Sequence, residues 1–205
     1  MPRKFLILLK TLTWLACLSP LAWLVWGVVT NNLGPDQTAA ITFTTGSATL
    51  DLLAITLAIS PVRRLVPRLG WLIQFRRLMG LFAFFYGSLH LLTYVWLYAG
   101  FNVGLMISDI AKRRYITMGM AAWLLLLPLA ATSTAWSIRK LGGKRWSRMH
   151  LLIYPAIVCG IIHFWWQMKP GVLKPLDMTV IVAVLLLARP VLKWAQRHKA
   201  RAAAT

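Results

Sequence analysis

The sequence contains no glutamate, and its only acidic residues are four aspartates in a chain of 205 residues. Against them stand 23 lysines and arginines, which give a formal net charge of +19. So basic a chain would ordinarily suggest nucleic-acid binding. However, charged residues make up only 13% of the chain and hydrophobic residues 59%, which excludes a soluble basic domain and a disordered basic tail. With a mean hydropathy of +0.67, the composition predicts a small polytopic membrane protein and no nucleic-acid partner.

Cysteine is scarce as well. Cys17 and Cys159 both lie in apolar runs, and neither has a CxxC neighbour, so a disulfide framework or a zinc site is not expected. The basic N-terminus resembles a signal sequence, but no small-residue cleavage site follows its apolar stretch. The first apolar stretch is therefore predicted to be a retained helix.

Long apolar runs predict the architecture. A helix needs roughly 20 mostly apolar residues to cross a bilayer, because lipid offers no partners to free backbone groups. Six runs qualify, at about residues 11–29, 44–60, 78–99, 116–136, 149–166 and 176–192. We therefore predict an all-α integral membrane protein, a bundle of six transmembrane helices in a single domain that spans residues 1–205.

The positions of the basic residues predict the orientation of the bundle. Eighteen of the 23 fall at the N-terminus, in the second and fourth loops or at the C-terminal end, and the remaining five fall in the third and fifth loops. Positively charged loops face the cytoplasm. Both termini are therefore predicted to be cytoplasmic.

Three of the four histidines lie in or against predicted spans. His90 lies thirteen residues beyond Arg77 in the third span, and His163 lies thirteen beyond His150 in the fifth. At 1.5 Å per residue, His90 and His163 lie about 20 Å along parallel helices, at matched depth. Two such imidazoles could bond across a helix interface, or could ligate the iron of a haem from both sides.

The roles of His150, Arg77 beside the third span and Asp51 are open. The position on the third helix that matches His150 is Arg77, which cannot be an ordinary axial ligand, so a second haem at His150 would need an unusual partner or water. Arg77 could instead neutralise a flavin phosphate or a haem propionate. Asp51 in the second span is expected to form a structural hydrogen bond, with a propionate contact or a proton relay near a quinol site as alternatives.

Several stretches resemble a known family. They are residues 76–81 (RRLMGL), 87–91 (GSLHL), 132–134 (TST) and 140–154 (KLGGKRWSRMHLLIY), followed by His163. Together they resemble the MsrQ (YedZ) family, whose wider relatives are the transmembrane domains of ferric reductases and NADPH oxidases. The resemblance covers essentially the whole chain and implies one ferric reductase-like transmembrane domain. The chain departs from the oxidase pattern at Arg77, where those relatives keep a histidine.

The resemblance implies a b-type cytochrome in the bacterial inner membrane that serves a periplasmic methionine sulfoxide reductase system. It implies haem ligation by His90 and His163, with His150 as a possible further ligand, and FMN as a second possible cofactor. Electrons would pass to a periplasmic molybdopterin-containing subunit, which would hold the catalytic site and repair oxidised envelope proteins. This chain would then contribute no catalytic residue of its own.

The electron donor and two other functions stay open at this point. The chain ends about ten residues beyond its last predicted span, which leaves no room for a fused flavin domain. A quinol or a cytoplasmic flavin reductase is therefore expected as donor, and the basic loops suit an acidic partner or anionic lipid. The alternatives are a stand-alone ferric or quinone reductase, and a transporter or membrane scaffold in which the histidines only join helices.

Overall fold

A computed structural model describes residues 3–169 and 173–202, and this part of the chain is helical without strands. The α-helices are α1 (Arg3–Val29), α2 (Gln37–Leu65), α3 (Arg76–Thr93), α4 (Val103–Lys112), α5 (Arg114–Ala131), α6 (Ala135–Leu141), α7 (Gly143–Met149), α8 (Ile153–Gln167) and α9 (Lys174–Ala202). A 3₁₀ segment (Pro67–Phe75) leads into α3, a π-turn (Tyr94–Tyr98) ends it, and a 3₁₀ turn (His150–Leu152) joins α7 to α8.

Six helical segments are long and apolar enough to cross a membrane, which confirms the predicted multi-pass bundle. They are Arg3–Val29, Gln37–Leu65, Pro67–Tyr98, Arg114–Ala131, Gly143–Gln167 and Lys174–Ala195. Many large apolar side chains point outward, as a lipid-facing surface requires. Six crossings place the start of α1 and the end of α9 on the same side of the bundle. Which side faces the cytoplasm stays a prediction from the charges.

The fourth span ends earlier than its hydropathy predicted. Helix α5 stops at Ala131 rather than near Trp136, and the hydroxyl of Thr134 accepts a bond from the amide of Ser137 to begin α6. A threonine at this position satisfies a free amide of the new helix, so it favours a helix start over continuation of α5. The apolar run crosses this break because hydropathy does not detect capping.

A buried tyrosine forms hydrogen bonds between the first helix and the bundle. Tyr86 on α3 is fully buried, and its hydroxyl donates to the carbonyl of Cys17 at 2.6 Å while it accepts from the amide of Leu21 at 3.2 Å. Pro20 lies between these two residues and lacks an amide hydrogen. The tyrosine thus enters the hydrogen-bond ladder of α1 where proline weakens it.

The core lies where α2, α3 and α8 meet. Leu57, Ala83, Ala156 and Ile157 are fully buried there. Helix α2 packs along α3, and α5 packs along α8, so that each of the two histidine-bearing helices has one neighbour at close range. These two helix pairs position the site.

Candidate functional site

His90 is held by the neighbouring helix α2 rather than by its own helix. Its Nδ1 lies 2.9 Å from the carbonyl oxygen of Thr42 and 3.4 Å from the hydroxyl of Thr45. A Cβ at Gly46 would lie 3.1 Å from both Cε1 and Nδ1 of the ring. Glycine at this position is therefore what lets the imidazole reach the helix backbone.

His163 on α8 is held in the same way by α5. Its Nδ1 lies 2.6 Å from the carbonyl oxygen of Tyr115, and a Cβ at Gly119 would lie 2.8 Å from that nitrogen. The contact is closer than at Gly46, and a methyl group at this position would have to displace the ring or the helix.

Each histidine, with the carbonyl and the glycine that hold its ring, is called a cradle here. The two cradles have the same spacing in the sequence. In each, the carbonyl acceptor lies 48 residues before the histidine, and the glycine follows the acceptor by four residues. All three members of the second cradle lie 73 residues after those of the first. The same offset relates Arg77 to His150. The glycines could have been found from the sequence, since each lies 44 residues before its histidine, but nothing in a sequence marks a backbone carbonyl as an acceptor.

The structure brings the two rings together. Their centroids are 5.8 Å apart and their planes are inclined at 84°. In each ring Nδ1 donates its hydrogen to a carbonyl, so Nε2 is the nitrogen with the free lone pair. The Nε2 of His163 is buried and has no hydrogen-bond partner among the described residues. A metal ligand requires such a nitrogen, and the backbone bond at Nδ1 is the usual support of a ligating histidine.

The donor set fits a haem better than a bare metal ion. The described part of the chain contains no group of three or more His, Cys, Asp or Glu side chains that could hold a metal ion. A pair of imidazoles on two apolar helices suits an iron whose other four ligands belong to a porphyrin. The two histidines therefore fit the haem that the sequence predicted.

His150 lies in a different environment. It starts the 3₁₀ turn before α8, its Nδ1 lies 3.0 Å from the carbonyl of Trp146, and its ring stacks on that indole at 3.8 Å. Its Nε2 is buried without a hydrogen-bond partner in residues 3–169 and 173–202. Arg77 is exposed. Positions 77 and 150 match in the sequence, but they do not provide a second pair of imidazoles.

A basic pocket of about 330 Å³ lies at the same end of the bundle as His150. Its lining residues are Ser60, Arg63, Arg64, Arg76, Tyr154, Arg189, Pro190 and Lys193. Arg189 donates to the carbonyl of Leu57 at 2.8 Å and to the hydroxyl of Tyr154, whereas its buried Nε has no partner among the described residues. Four arginines and one lysine thus line the pocket, and no carboxylate is among the lining residues. This arrangement is typical of an anion site. Sequence reasoning missed this pocket because its residues come from four separate segments.

Asp51 lines a second, mostly apolar pocket of about 470 Å³ between α1, α2 and α3. Ser47, Cys17 and Met79 are among its neighbours there. The carboxylate forms no hydrogen bond to another described side chain or backbone group, so the expected structural hydrogen bond is not seen.

Comparison with known proteins identifies the family. The family described as ferric reductase like transmembrane component matches residues 45–161. The protein-methionine-sulfoxide reductase heme-binding subunit MsrQ of Herminiimonas arsenicoxydans is 45% identical over 97% of this chain and 92% of its own length. The MsrQ subunit of Ralstonia nicotianae is 41% identical over 95% of this chain and 88% of its own length. The chain belongs to the MsrQ family. A further MsrQ, from Rhodospirillum rubrum, is 44% identical over 91% of this chain and 89% of its own length.

The ferric reductase-like segment of this MsrQ-family chain contains most of both cradles. It begins at Thr45 beside the His90 ring and ends at Ile161, two residues before His163. The MsrQ relatives extend the similarity across His163 and the last helix.

Proposed function

We propose that this chain is a haem b-containing electron-transfer subunit in the bacterial inner membrane. It passes electrons from the quinol pool or a cytoplasmic flavin reductase to a periplasmic, molybdopterin-containing methionine sulfoxide reductase, which repairs oxidised envelope proteins. Membership of the MsrQ family supports the proposal, because the relatives are named as heme-binding subunits of a protein-methionine-sulfoxide reductase. The decisive observation is the pair of imidazoles 5.8 Å apart, each anchored at Nδ1.

His90 and His163 would hold the haem through their Nε2 atoms. When bound, the haem supplies an iron that takes up and releases one electron at a time. With both histidines bound, the iron would have no open coordination site, which favours electron transfer over oxygen activation. The carbonyls of Thr42 and Tyr115 fix the orientation of the rings, and the surrounding apolar helices exclude water.

One haem per chain is the number that the described residues favour. His150 has no imidazole counterpart, because the matching position is Arg77 and an arginine is not an ordinary axial ligand. A second haem at His150 would have to take its other ligand from water or from another group.

The basic pocket is the best candidate for the phosphate of FMN, should the chain carry a flavin. Arg76 and Arg189 line this pocket, whereas Arg77 does not. A guanidinium group can bind two phosphate oxygens at once, and a doubly charged phosphate would offset the repulsion between these cations. Arg77, predicted to bind a cofactor, would then lie at the edge of the site rather than in it.

The test is a reduced-minus-oxidised absorption spectrum of protein purified from haem-replete cells. We expect a b-type spectrum with about one haem per chain, lost in His90→Ala and in His163→Ala. His198→Ala is the matched control, since His198 lies near the end of α9 against Trp194. A folded but colourless wild-type protein would contradict the proposal. Equal spectra in wild type and both variants would contradict the ligand assignment.

A second measurement separates the proposed role from a stand-alone ferric or quinone reductase. The reduced chain should be reoxidised by methionine sulfoxide only when a periplasmic molybdopterin subunit is added. Rapid reoxidation by ferric chelates without that subunit would favour the stand-alone reductase.

A further inference from the structure

The strongest unexplained feature outside the histidine pair is a buried carboxylate beside the hinge between α4 and α5. Asp109 is only 8% exposed, and its Oδ1 lies 3.0 Å from Nε of Arg113. This is the one salt bridge in residues 3–169 and 173–202, in a chain with four carboxylates in total. The second oxygen, Oδ2, accepts from the hydroxyl of Tyr94 at 3.1 Å. Burial of a carboxylate costs free energy unless the group is paired and hydrogen-bonded, and both oxygens of Asp109 have such a partner.

Arg113 is the only residue between α4 and α5, and its backbone is extended at φ −109° and ψ 95°. Its amide donates to the carbonyl of Asp109 at 2.8 Å, and its own carbonyl accepts from the amide of Ile116 at 2.9 Å. Its guanidinium also donates to the hydroxyl of Tyr115 at 3.3 Å. The side chain therefore fixes the first turn of α5 relative to α4 across a one-residue hinge.

Both ends of this network lead to a histidine. On one side, the amide of Tyr94 donates to the carbonyl of His90, one turn earlier on α3. On the other side, the carbonyl of Tyr115 accepts from Nδ1 of His163 at 2.6 Å, and the two rings lie 6.1 Å apart. A continuous series of hydrogen bonds and one ion pair thus joins the backbone at one histidine to the imidazole of the other.

We propose that Tyr94, Asp109, Arg113 and Tyr115 form a brace that sets the position of His163 relative to His90. The brace rests on the proposed function, in which these two histidines are the haem ligands. Its members are positioning residues, since they would act on the haem only through His90 and His163. Loss of the brace frees the first turn of α5, and with it the carbonyl that orients His163.

Two variants cut the brace at different bonds. Asp109→Asn keeps the shape and the acceptor for Tyr94 but removes the charge that holds Arg113. Tyr94→Phe removes one hydroxyl and leaves the ion pair intact, so it tests the brace even if the first variant folds poorly. Asp177→Asn is the matched control, because Asp177 lies in the first turn of α9, which carries neither ligand. Asp109→Glu is the conservative replacement.

Three measurements on full-length protein in detergent decide the matter. They are the rate of haem transfer to excess apomyoglobin, the position of the low-spin ferric signal in electron paramagnetic resonance, and hydrogen exchange of the amides at 114–119. We expect about tenfold faster haem transfer in Asp109→Asn and in Tyr94→Phe, since supporting partners of metal ligands contribute 10–100-fold to affinity. The resonance should shift because the rings change their mutual angle, and exchange at 114–119 should quicken. Asp109→Glu keeps the charge, so all three measurements should stay close to those of the wild type.

The brace is overturned if both variants match Asp177→Asn in the haem-transfer rate and in the resonance signal. A wild-type protein without haem would instead overturn the proposed function. In that case hydrogen exchange still tests the brace, and unchanged exchange at 114–119 in both variants would refute it.

Discussion

The two ends of the helix bundle each contain a pair of residues 73 positions apart in the sequence, but the two pairs differ in chemistry. At the histidine end, defined by His90 and His163, two imidazoles lie 5.8 Å apart. Each is anchored on a neighbouring helix, by a bond to a carbonyl and by close approach to a glycine. At the basic end, defined by His150 and the basic pocket, the matching pair is Arg77 and His150. Here His150 bonds to the carbonyl four residues earlier in the same helical segment rather than to a neighbouring helix. Two imidazoles thus lie together at the end where each neighbouring helix supplies an anchor, and not at the other end.

The largest expected effect comes from filling a cradle at the histidine end. Gly119→Ala places a methyl group 2.8 Å from Nδ1 of His163, and Gly46→Ala places one 3.1 Å from His90. We expect haem retention to fall by about 10–100-fold in Gly119→Ala and by less in Gly46→Ala, because each methyl group displaces a ligand from its anchor. The haem-to-protein ratio after gel filtration measures this.

Gly87→Ala is the control for both cradles. Its added methyl group would meet Thr49 at 3.4 Å and Trp123 at 3.9 Å, which are ordinary contacts, and it would meet neither histidine. If Gly119→Ala retained as much haem as Gly87→Ala, the cradle would not be what positions His163.

These glycines show what could be predicted from the sequence and what could not. Hydropathy predicted the six spans, and thirteen-residue intervals placed His90 and His163 at matched depth, because both depend on distance along a helix. Which face of a helix meets which neighbour depends on packing between residues 48 apart, and no local pattern records it. The basic pocket was missed for the same reason, and Arg76 rather than its neighbour Arg77 lines it.

A smaller effect, confined to the basic end, is expected from Arg189→Met. This variant removes the bonds to the carbonyl of Leu57 and the hydroxyl of Tyr154. Binding of FMN, measured by quenching of flavin fluorescence, should weaken about tenfold or more, since a hydrogen bond to a charged group contributes about 1.5–3 kcal/mol. The haem spectrum should stay as in wild type.

Arg68→Met is the matched control for the basic pocket. Arg68 is exposed in the 3₁₀ segment before α3 and does not line the pocket. Equal flavin affinity in the two variants would show that the anion site lies elsewhere, and loss of haem in Arg189→Met would show that the two ends are not independent.

The smallest effects are expected where the register alone is altered. Arg77→His introduces an imidazole at the position that matches His150 in the sequence register. The haem-to-protein ratio should not rise, because position 77 is exposed and no glycine cradle accompanies it. His150→Ala should leave the ratio unchanged and lower stability by about 1 kcal/mol through loss of the stacking on Trp146. Pyridine haemochrome assays and thermal unfolding measure both. A ratio near two in Arg77→His, or a halved ratio in His150→Ala, would mean that the basic end binds haem.

The separate anchoring of the two rings has a thermodynamic consequence. One histidine belongs to the pair α2 and α3, and the other belongs to the pair α5 and α8, so a group bound by both histidines joins the two halves of the bundle. Its binding free energy then adds to the cohesion of these halves, because a ligand that binds only the assembled state stabilises that state by mass action. Cofactor supply during membrane insertion would accordingly govern how much of the chain reaches its assembled form, and haem-starved cells should accumulate less of it.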